Sequence, residues 1–179
     1  SQAVRAEAVA AIGVWTSPST FDRVDGSYLG PPPSRDATAP RAALTTLVPL
    51  LDRTDTTAPL KLAIIDAAAR LELTAAAPAL VARLQTDTAA PVRVAAMRAL
   101  QAVKAGDIGA AVNAAMADGD ATVRMAAIRA MATLPLDDAA KTNYLAKVVR
   151  ERSMFEQQSA LEAPGRISPS GGAWVLVSS

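Results

Sequence analysis

The sequence repeats itself with a period of about 32 residues, and this feature limits the possible folds more than any other. Four segments align without gaps, the fourth more weakly: APLKLAIIDAAARL (58–71), APVRVAAMRALQAV (90–103), ATVRMAAIRAMATL (121–134) and SMFEQQSALEAPGR (153–166). A second series precedes these segments, in which Val48, Leu80, Val112 and Tyr144 recur every 32 residues. Self-similarity at such a period is typical of an array of stacked supersecondary units.

Each unit is predicted to contain two helices. Apolar residues in the second segment of a unit lie three or four positions apart, as at Val92, Ala96, Leu100 and Val103, which forms one apolar stripe along a helix. The first segments have the same spacing. We therefore predict helices at about 2–15, 41–53, 58–72, 75–86, 90–104, 107–117, 121–133, 137–151 and 153–163.

The period also divides the chain. Residues 1–15 match a lone second helix, because Arg5 aligns with Lys61 and Arg93. The distance from Arg5 to Lys61 exceeds the period by 24 residues, so 16–40 is predicted to be an inserted loop. The repeats then follow at 41–73, 74–105, 106–136 and 137–163. The tail, 164–179, abandons the pattern and is assigned no role.

The composition favours helices and removes most active-site chemistry. Alanine supplies 42 of the 179 residues, and aromatic residues supply 3%. Alanine has the best helix propensity and lets helix axes approach closely, which argues against a sandwich or barrel. The chain has no cysteine and no histidine, and so no thiolate nucleophile, imidazole base or usual zinc ligand. We expect no catalytic residue, no cofactor, no metal site and no membrane span.

The most regular charges in the chain are three aspartates and three cations, one of each per repeat. We call them the Asp–cation ladder: Asp55, Asp87, Asp118, Lys61, Arg93 and Arg124. Each aspartate is predicted to accept hydrogen bonds from turn amides and from the cation of an adjacent repeat, which would fix the stacking angle. The alternative is a row of ligand-binding groups. The paired carboxylates Asp118/Asp120 and Asp137/Asp138 are interpreted as helix caps.

A strip of arginines is the basis for a nucleic-acid alternative. Arg98 and Arg129 lie five residues beyond Arg93 and Arg124, and Arg70 and Arg83 could extend the strip. However, Asp66 occupies the equivalent position one repeat earlier, and the net charge is only +1. A phosphate-tracking groove needs more basic residues and aromatic side chains for base stacking. We therefore expect no nucleic-acid partner.

The inserted loop (16–40), together with Trp15 before it, reads WTSPSTFDRVDGSYLGPPPSRDATAP and is predicted to be ordered and to carry the contact surface. Asp25-Gly26 and Ser17-Pro18 are turn signals. Trp15, Phe21, Tyr28 and Leu29 are expected to bury apolar area against the helices. The candidate interaction residues are Trp15, Phe21, Asp22, Arg23, Asp25 and Tyr28.

The repeated segments resemble HEAT repeats, with a proline inside the first helix (Pro49), an aspartate between the helices and a Val-Arg opening of the second helix. The resemblance covers residues 41–163. It implies an all-α fold, an α–α superhelix of about four helical hairpins with an N-terminal half repeat. Pro49 should kink its helix.

The loop also resembles a segment in the HEAT portion of large secreted bacterial proteins that join a sorbosone- or glucose-dehydrogenase-type propeller to a c-type cytochrome domain. The matching residues are Trp15, Pro18, Asp22, Arg23, Val24, Gly26 and Tyr28, and Leu29 replaces a basic residue. This resemblance implies a periplasmic or secreted module of a larger protein.

We therefore predict a non-catalytic scaffold that contacts a protein partner or neighbouring domains of the same polypeptide. The alternative is a HEAT-type nucleic-acid-binding or DNA-glycosylase-like module. A HEAT-type chromophore lyase is a third class, which no residue here supports.

Overall fold

A computed structural model describes residues 1–22, 24–31, 35–106 and 108–133 of the chain. Over these ranges the chain forms seven α-helices: α1 (Gln2–Gly13), α2 (Thr38–Leu47), α3 (Ala58–Arg70), α4 (Ala77–Thr86), α5 (Ala90–Ala102), α6 (Ile108–Met116) and α7 (Ala121–Ala132). Short 3-10 helices span Val48–Asp52 and Thr74–Ala76. The all-α prediction is confirmed. The helices predicted at 137–151 and 153–163, and the tail, lie outside the described residues.

The helices pack in two rows. One row holds the second helices of the repeats, since α3 contacts both α1 and α5, and α5 contacts both α3 and α7. The other row holds the first helices, with α2 and its 3-10 extension against α3, α4 against α5, and α6 against α7. We refer to α1, α3, α5 and α7 as second-type helices and to α2, α4 and α6 as first-type helices.

The core lies between the two rows. It is built from the apolar stripes of both helix types, and its largest side chains that are almost fully buried include Leu44, Leu51, Ile64, Leu80, Met97, Leu100 and Ile128. Burying a leucine or methionine side chain of this kind contributes about 1.5–3 kcal/mol. Alanines complete the stripes, as at Ala96 and Ala127, where a larger residue would hold neighbouring helices apart.

The first helix of the first full repeat differs from its prediction at both ends. It was predicted as one helix at 41–53, kinked at Pro49, but α2 ends at Leu47 and a 3-10 helix continues over Val48–Asp52. A proline has no N–H to donate to the preceding turn, so the α-helical hydrogen bonds stop there. The helix also begins earlier, at Thr38, whose N–H donates to Asp36 Oδ2 over 2.9 Å.

The second-type helices α3 and α5 end in the same way. Glu72 and Lys104 follow these helices, and both adopt a positive φ, of 49° and 53°. The next N–H in each case reaches back to the helix, from Leu73 to the Ala68 carbonyl over 2.9 Å and from Ala105 to the Leu100 carbonyl over 3.2 Å. This is a Schellman-type ending, which normally places glycine at the left-handed position.

Candidate functional site

Two cation–aspartate pairs connect neighbouring repeats. Lys61 Nζ lies 2.7 Å from Asp87 Oδ2. Arg93 binds Asp118 with two parallel bonds, Nε to Oδ2 over 2.7 Å and Nη2 to Oδ1 over 2.9 Å. The side chains are largely buried, with 3% exposure for Asp87 and 11% for Asp118. Bidentate pairing of this kind fixes the relative orientation of the two groups as well as their distance.

The arginines also bind the turns that precede their own helices. Arg93 Nη1 donates to the carbonyl oxygens of Asp87 and Thr88 over 2.9 and 3.2 Å. Arg124 Nη1 donates to the carbonyl oxygens of Asp118 and Gly119 over 2.8 and 2.9 Å. Each of these aspartates therefore links two ladder cations, one through its carboxylate and one through its backbone carbonyl, and the Asp87 carboxylate also lies 3.8 Å from Arg83 Nη1.

The carboxylates also cap the turns. Asp87 Oδ1 accepts from the Ala89 N–H over 3.0 Å, and Asp118 Oδ1 accepts from the Asp120 N–H over 2.8 Å. The hydrogen bond from Arg93 lowers the pKa of Asp118 below its usual 3.8. Burial would raise the pKa of Asp87, but the bonds from Lys61 and the Ala89 amide outweigh it and leave that pKa lowered. Both groups are therefore held as carboxylates.

The first joint of the array is built differently. Asp55 pairs with Arg53 of its own turn over 2.8 Å, and both side chains are more than 60% exposed. Arg5, the residue at the ladder position of α1, is exposed. Gln2 makes the contact between α1 and this turn, since its Nε2 donates to the Asp55 carbonyl over 2.6 Å and its Oε1 accepts from the Thr57 N–H over 2.7 Å. Within the described residues, the ladder pairs Lys61 with Asp87 and Arg93 with Asp118 across repeats, and Arg124 binds the turn before its own helix.

Sequence reasoning missed Gln2. The only signal was local, because the equivalent positions in α3, α5 and α7 are all alanine: Ala58, Ala90 and Ala121. Gln2 is thus the one polar residue at this position among the four helices, and it bonds the turn between α2 and α3.

A cleft of about 380 Å³ lies between the turn at Asp87 and the turn at Asp118. Arg93, Asp87 and Asp118 contribute to its lining, together with Leu84, Gln85, Thr86, Ala114, Ala117 and Gly119. Nε, Nη1 and Nη2 of Arg93 are all hydrogen-bonded within the protein. The cleft therefore presents a neutralised ion pair to solvent rather than a cation available to an anionic ligand.

The predicted arginine strip is divided by acidic partners. Arg83 Nη2 lies 3.1 Å from Asp52 Oδ1, and Arg70 Nε lies 2.7 Å from Asp66 Oδ2. Arg98 and Arg129 are exposed at equivalent positions of α5 and α7. Two exposed guanidinium groups make a small patch compared with the groove that a nucleic-acid backbone requires.

The described residues 20–22 and 24–29 of the inserted loop form a short hairpin, called the hairpin at 20–29 below. Phe21 and Tyr28 form an antiparallel bridge, and their rings pack with centroids 5.6 Å apart. The Asp22 N–H donates to the Ser27 carbonyl and the Leu29 N–H donates to the Thr20 carbonyl, both over 2.8 Å. Gly26 takes a φ of 73° at the turn that Asp25-Gly26 predicts.

The acidic residues of the hairpin hold its turn. Asp22 Oδ1 accepts from the N–H groups of Val24 and Asp25, over 2.7 and 3.3 Å, and Asp25 Oδ1 accepts from the Ser27 N–H over 2.8 Å. Hydrogen bonds from the backbone N–H and the side chain of Ser27 lower the pKa of Asp25. Arg23 lies outside the described residues. Asp22 and Asp25 thus shape the hairpin from within.

The expectation that the aromatic residues of the loop bury against the helices is wrong. Phe21 is 54% exposed, Tyr28 66% and Leu29 63%, while Val24 at the tip is 96% exposed. Trp15 is 46% exposed and lies under the guanidinium of Arg35, whose Cζ is 5.1 Å from the ring centroid. Backbone hydrogen bonds hold the hairpin together, so its apolar side chains need not insert into the core.

In the described part of the chain, no helix is long and apolar enough to cross a membrane, and no three acidic side chains cluster to hold a metal ion. No protein-family model, curated protein or solved structure matches the sequence.

Proposed function

We propose that this chain is a non-catalytic HEAT-like interaction module whose contact surface is the hairpin at 20–29. The main support is that four large apolar side chains are exposed on one hydrogen-bonded hairpin: Phe21, Val24, Tyr28 and Leu29. The rings of Phe21 and Tyr28 are in contact, and exposed contiguous apolar surface of this kind marks interaction sites. Aromatic anchors on a pre-formed element bind at a low cost in conformational entropy.

The repeats supply the rigid support for this hairpin. The two rows of helices, the 32-residue period and the cation–aspartate links between repeats all support a HEAT-like superhelix. Stacked repeats leave extended surfaces free, and the inserted loop projects from such an array between α1 and α2. The function therefore depends on presentation of the hairpin rather than on chemistry within the chain.

The partner we propose is a neighbouring domain of the same, larger polypeptide. The loop's resemblance to the HEAT portion of secreted propeller–cytochrome proteins supports this assignment, and with it an extracytoplasmic location. The interaction surface proposed above does not depend on that context.

Site-specific photo-crosslinking tests the proposal. A benzophenone amino acid replaces Val24, whose exposed side chain makes the substitution harmless to the fold, and the protein is irradiated in its native cells. We expect a defined adduct, which mass spectrometry assigns to the same polypeptide or to another one. The double variant Phe21→Ser/Tyr28→Ser should reduce the adduct several-fold.

The control places the same photoreactive residue at Gln85, an exposed position on α4. Equal adduct yields from positions 24 and 85 would show that the hairpin is not the contact surface. Titration with a labelled DNA duplex at low salt addresses the nucleic-acid alternative: saturable binding that Arg98→Ala/Arg129→Ala abolishes would favour it over the scaffold.

A further inference from the structure

The outward side of α1 carries an exposed apolar stripe, whereas the equivalent stripes of the other second-type helices are buried in the described array. Val4, Ala8, Ala11 and Trp15 are spaced four, three and four residues apart, which places them on one side of the helix and its following turn. We call them the α1 stripe. Val4 is 67% exposed and Trp15 46% exposed, and both alanines are exposed.

The same positions are buried in the other second-type helices. With Arg5 aligned to Lys61, Arg93 and Arg124, the α1 stripe corresponds to eleven described residues, each at most 2% exposed: Leu60, Ile64, Ala67, Leu71, Val92, Ala96, Ala99, Val103, Val123, Ala127 and Ala130. The α1 stripe is thus the continuation of an interface that α3, α5 and α7 form within the described residues.

The packing of the later repeats indicates what covers such a stripe. α5 packs against its own first-type helix, α4, and against the preceding second-type helix, α3. Within the α3 stripe, Ala67 lies directly against Gly13 of the preceding helix α1. α1 packs chiefly against α3 and α2, which both follow it in the chain. The α5 stripe is covered by α3 and α4, which precede α5 in the chain. No equivalent pair of helices covers the α1 stripe in the described residues.

Arg5 gives a second, independent indication of the same occupant. Arg93 and Arg124 each donate to the carbonyls five and six residues before them, in the turn that leads into their helix. Arg5 holds the equivalent position in α1, and the equivalent carbonyls would belong to a turn immediately before Ser1. A second copy of this chain packed on the stripe would not supply that turn.

We propose that the α1 stripe is the docking surface of a helical hairpin of the α3–α4 type, lying directly before α1 in the same polypeptide. The terminal repeat of a solenoid needs a polar outer face to stay soluble. The α1 stripe is apolar, as expected for an internal joint. This inference concerns the end of the array and holds whether or not the hairpin at 20–29 has a partner.

Cysteine labelling tests the proposal, since the chain has no cysteine of its own. The probe is Ala8→Cys in the stripe. The matched control is Ala10→Cys, because the residues equivalent to Ala10 are exposed in every described repeat: Asp66, Arg98 and Arg129. Each probe is introduced into the present chain and into a chain extended by a copy of residues 58–88 placed directly before Ser1. In that copy, Leu60→Gln and Ile64→Gln provide a polar outer face.

We expect a thiol reagent to label both probes at similar rates in the present chain. In the extended chain, labelling of Ala8→Cys should slow at least tenfold, while labelling of Ala10→Cys is unchanged. Adding Val4→Asp to the extended chain should restore fast labelling at position 8. Where the extended chain does not fold, the same two probes in the full product of the natural gene give the decisive comparison.

Two results would overturn the proposal. One is equally fast labelling of both probes in a folded extended chain or in the full product of the natural gene. The other is protection of Ala8→Cys in the present chain that increases with protein concentration, because that result assigns the stripe to a second copy.

Discussion

Gly13 and Ala67 bring α1 and α3 into closer contact than any side chain at position 13 would allow. A Cβ atom built on Gly13 would lie 2.9 Å from Ala67 Cα and 3.0 Å from Ala67 Cβ. The first of these distances is to backbone, which cannot rotate away. The absence of a side chain at Gly13 therefore sets the distance between the first two helices of the second-type row.

Gly13→Ala should destabilise the protein. Overpacking costs about 1–3 kcal/mol, and the better helix propensity of alanine returns about 1 kcal/mol. We expect a net loss of about 1 kcal/mol in the free energy of unfolding, measured by urea denaturation. Gly109→Ala in α6 is the control, because a Cβ there meets no atom within 4 Å. A Gly13→Ala variant as stable as Gly109→Ala would show that α1 can shift at no cost.

The Arg93–Asp118 pair should show strong energetic coupling. A double-mutant cycle with Arg93→Ala and Asp118→Ala is expected to give a coupling energy of about 2 kcal/mol, because the pair is bidentate and mostly buried. The exposed pair Arg53–Asp55, 2.8 Å apart, should give less than about 1 kcal/mol in the same measurement. Coupling energies of equal size would mean that burial adds nothing to the inter-repeat link.

Acid should weaken the protein partly through Asp118. Its pKa is lowered in the folded state by the Arg93 hydrogen bond, so the unfolded chain binds a proton at higher pH than the folded chain does. The stabilisation is present above about pH 4, where an unfolded aspartate is ionised, and is lost as the pH falls through the folded pKa. Asp118→Asn should therefore flatten the decline of unfolding free energy between about pH 5 and pH 2. Parallel curves for the two proteins would exclude Asp118 as a source of the acid sensitivity.

Lys104→Gly should stabilise the protein. Lys104 holds a φ of 53° at the end of α5, a conformation that costs a non-glycine residue about 1–2 kcal/mol. Glycine removes this strain but loses more entropy on folding, so we expect a net gain of about 0.5–1 kcal/mol in thermal or urea unfolding. Lys104→Ala, which keeps the strain and removes the charge 4.0 Å from Glu72, should not stabilise the protein. A gain from the alanine variant as well would assign the effect to the charge.

The sequence predicted the parts of this structure that depend on local periodicity. Spacings of three and four residues gave the described helices to within a few residues, and Asp25-Gly26 gave the turn of the hairpin. Contacts between distant residues were harder to foresee. The bond from Gln2 to the turn at Asp55 spans 53 positions, and the approach of Gly13 to Ala67 depends on the packing distance between two helices. The exposure of Phe21 and Tyr28 was missed because composition cannot distinguish a loop held by its own backbone bonds from one held by burial.

The joints between second-type helices should respond differently to solution conditions. From Lys61 to Arg124, charged groups and turn carbonyls form a continuous hydrogen-bonded line through Asp87, Arg93 and Asp118. The joint between α1 and α3 instead relies on the neutral amide of Gln2 and on close backbone packing. Acid, which protonates Asp87 and Asp118, would therefore soften the joints of α3 with α5 and of α5 with α7 before the joint of α1 with α3, so that the described array loses rigidity in its middle rather than beside α1.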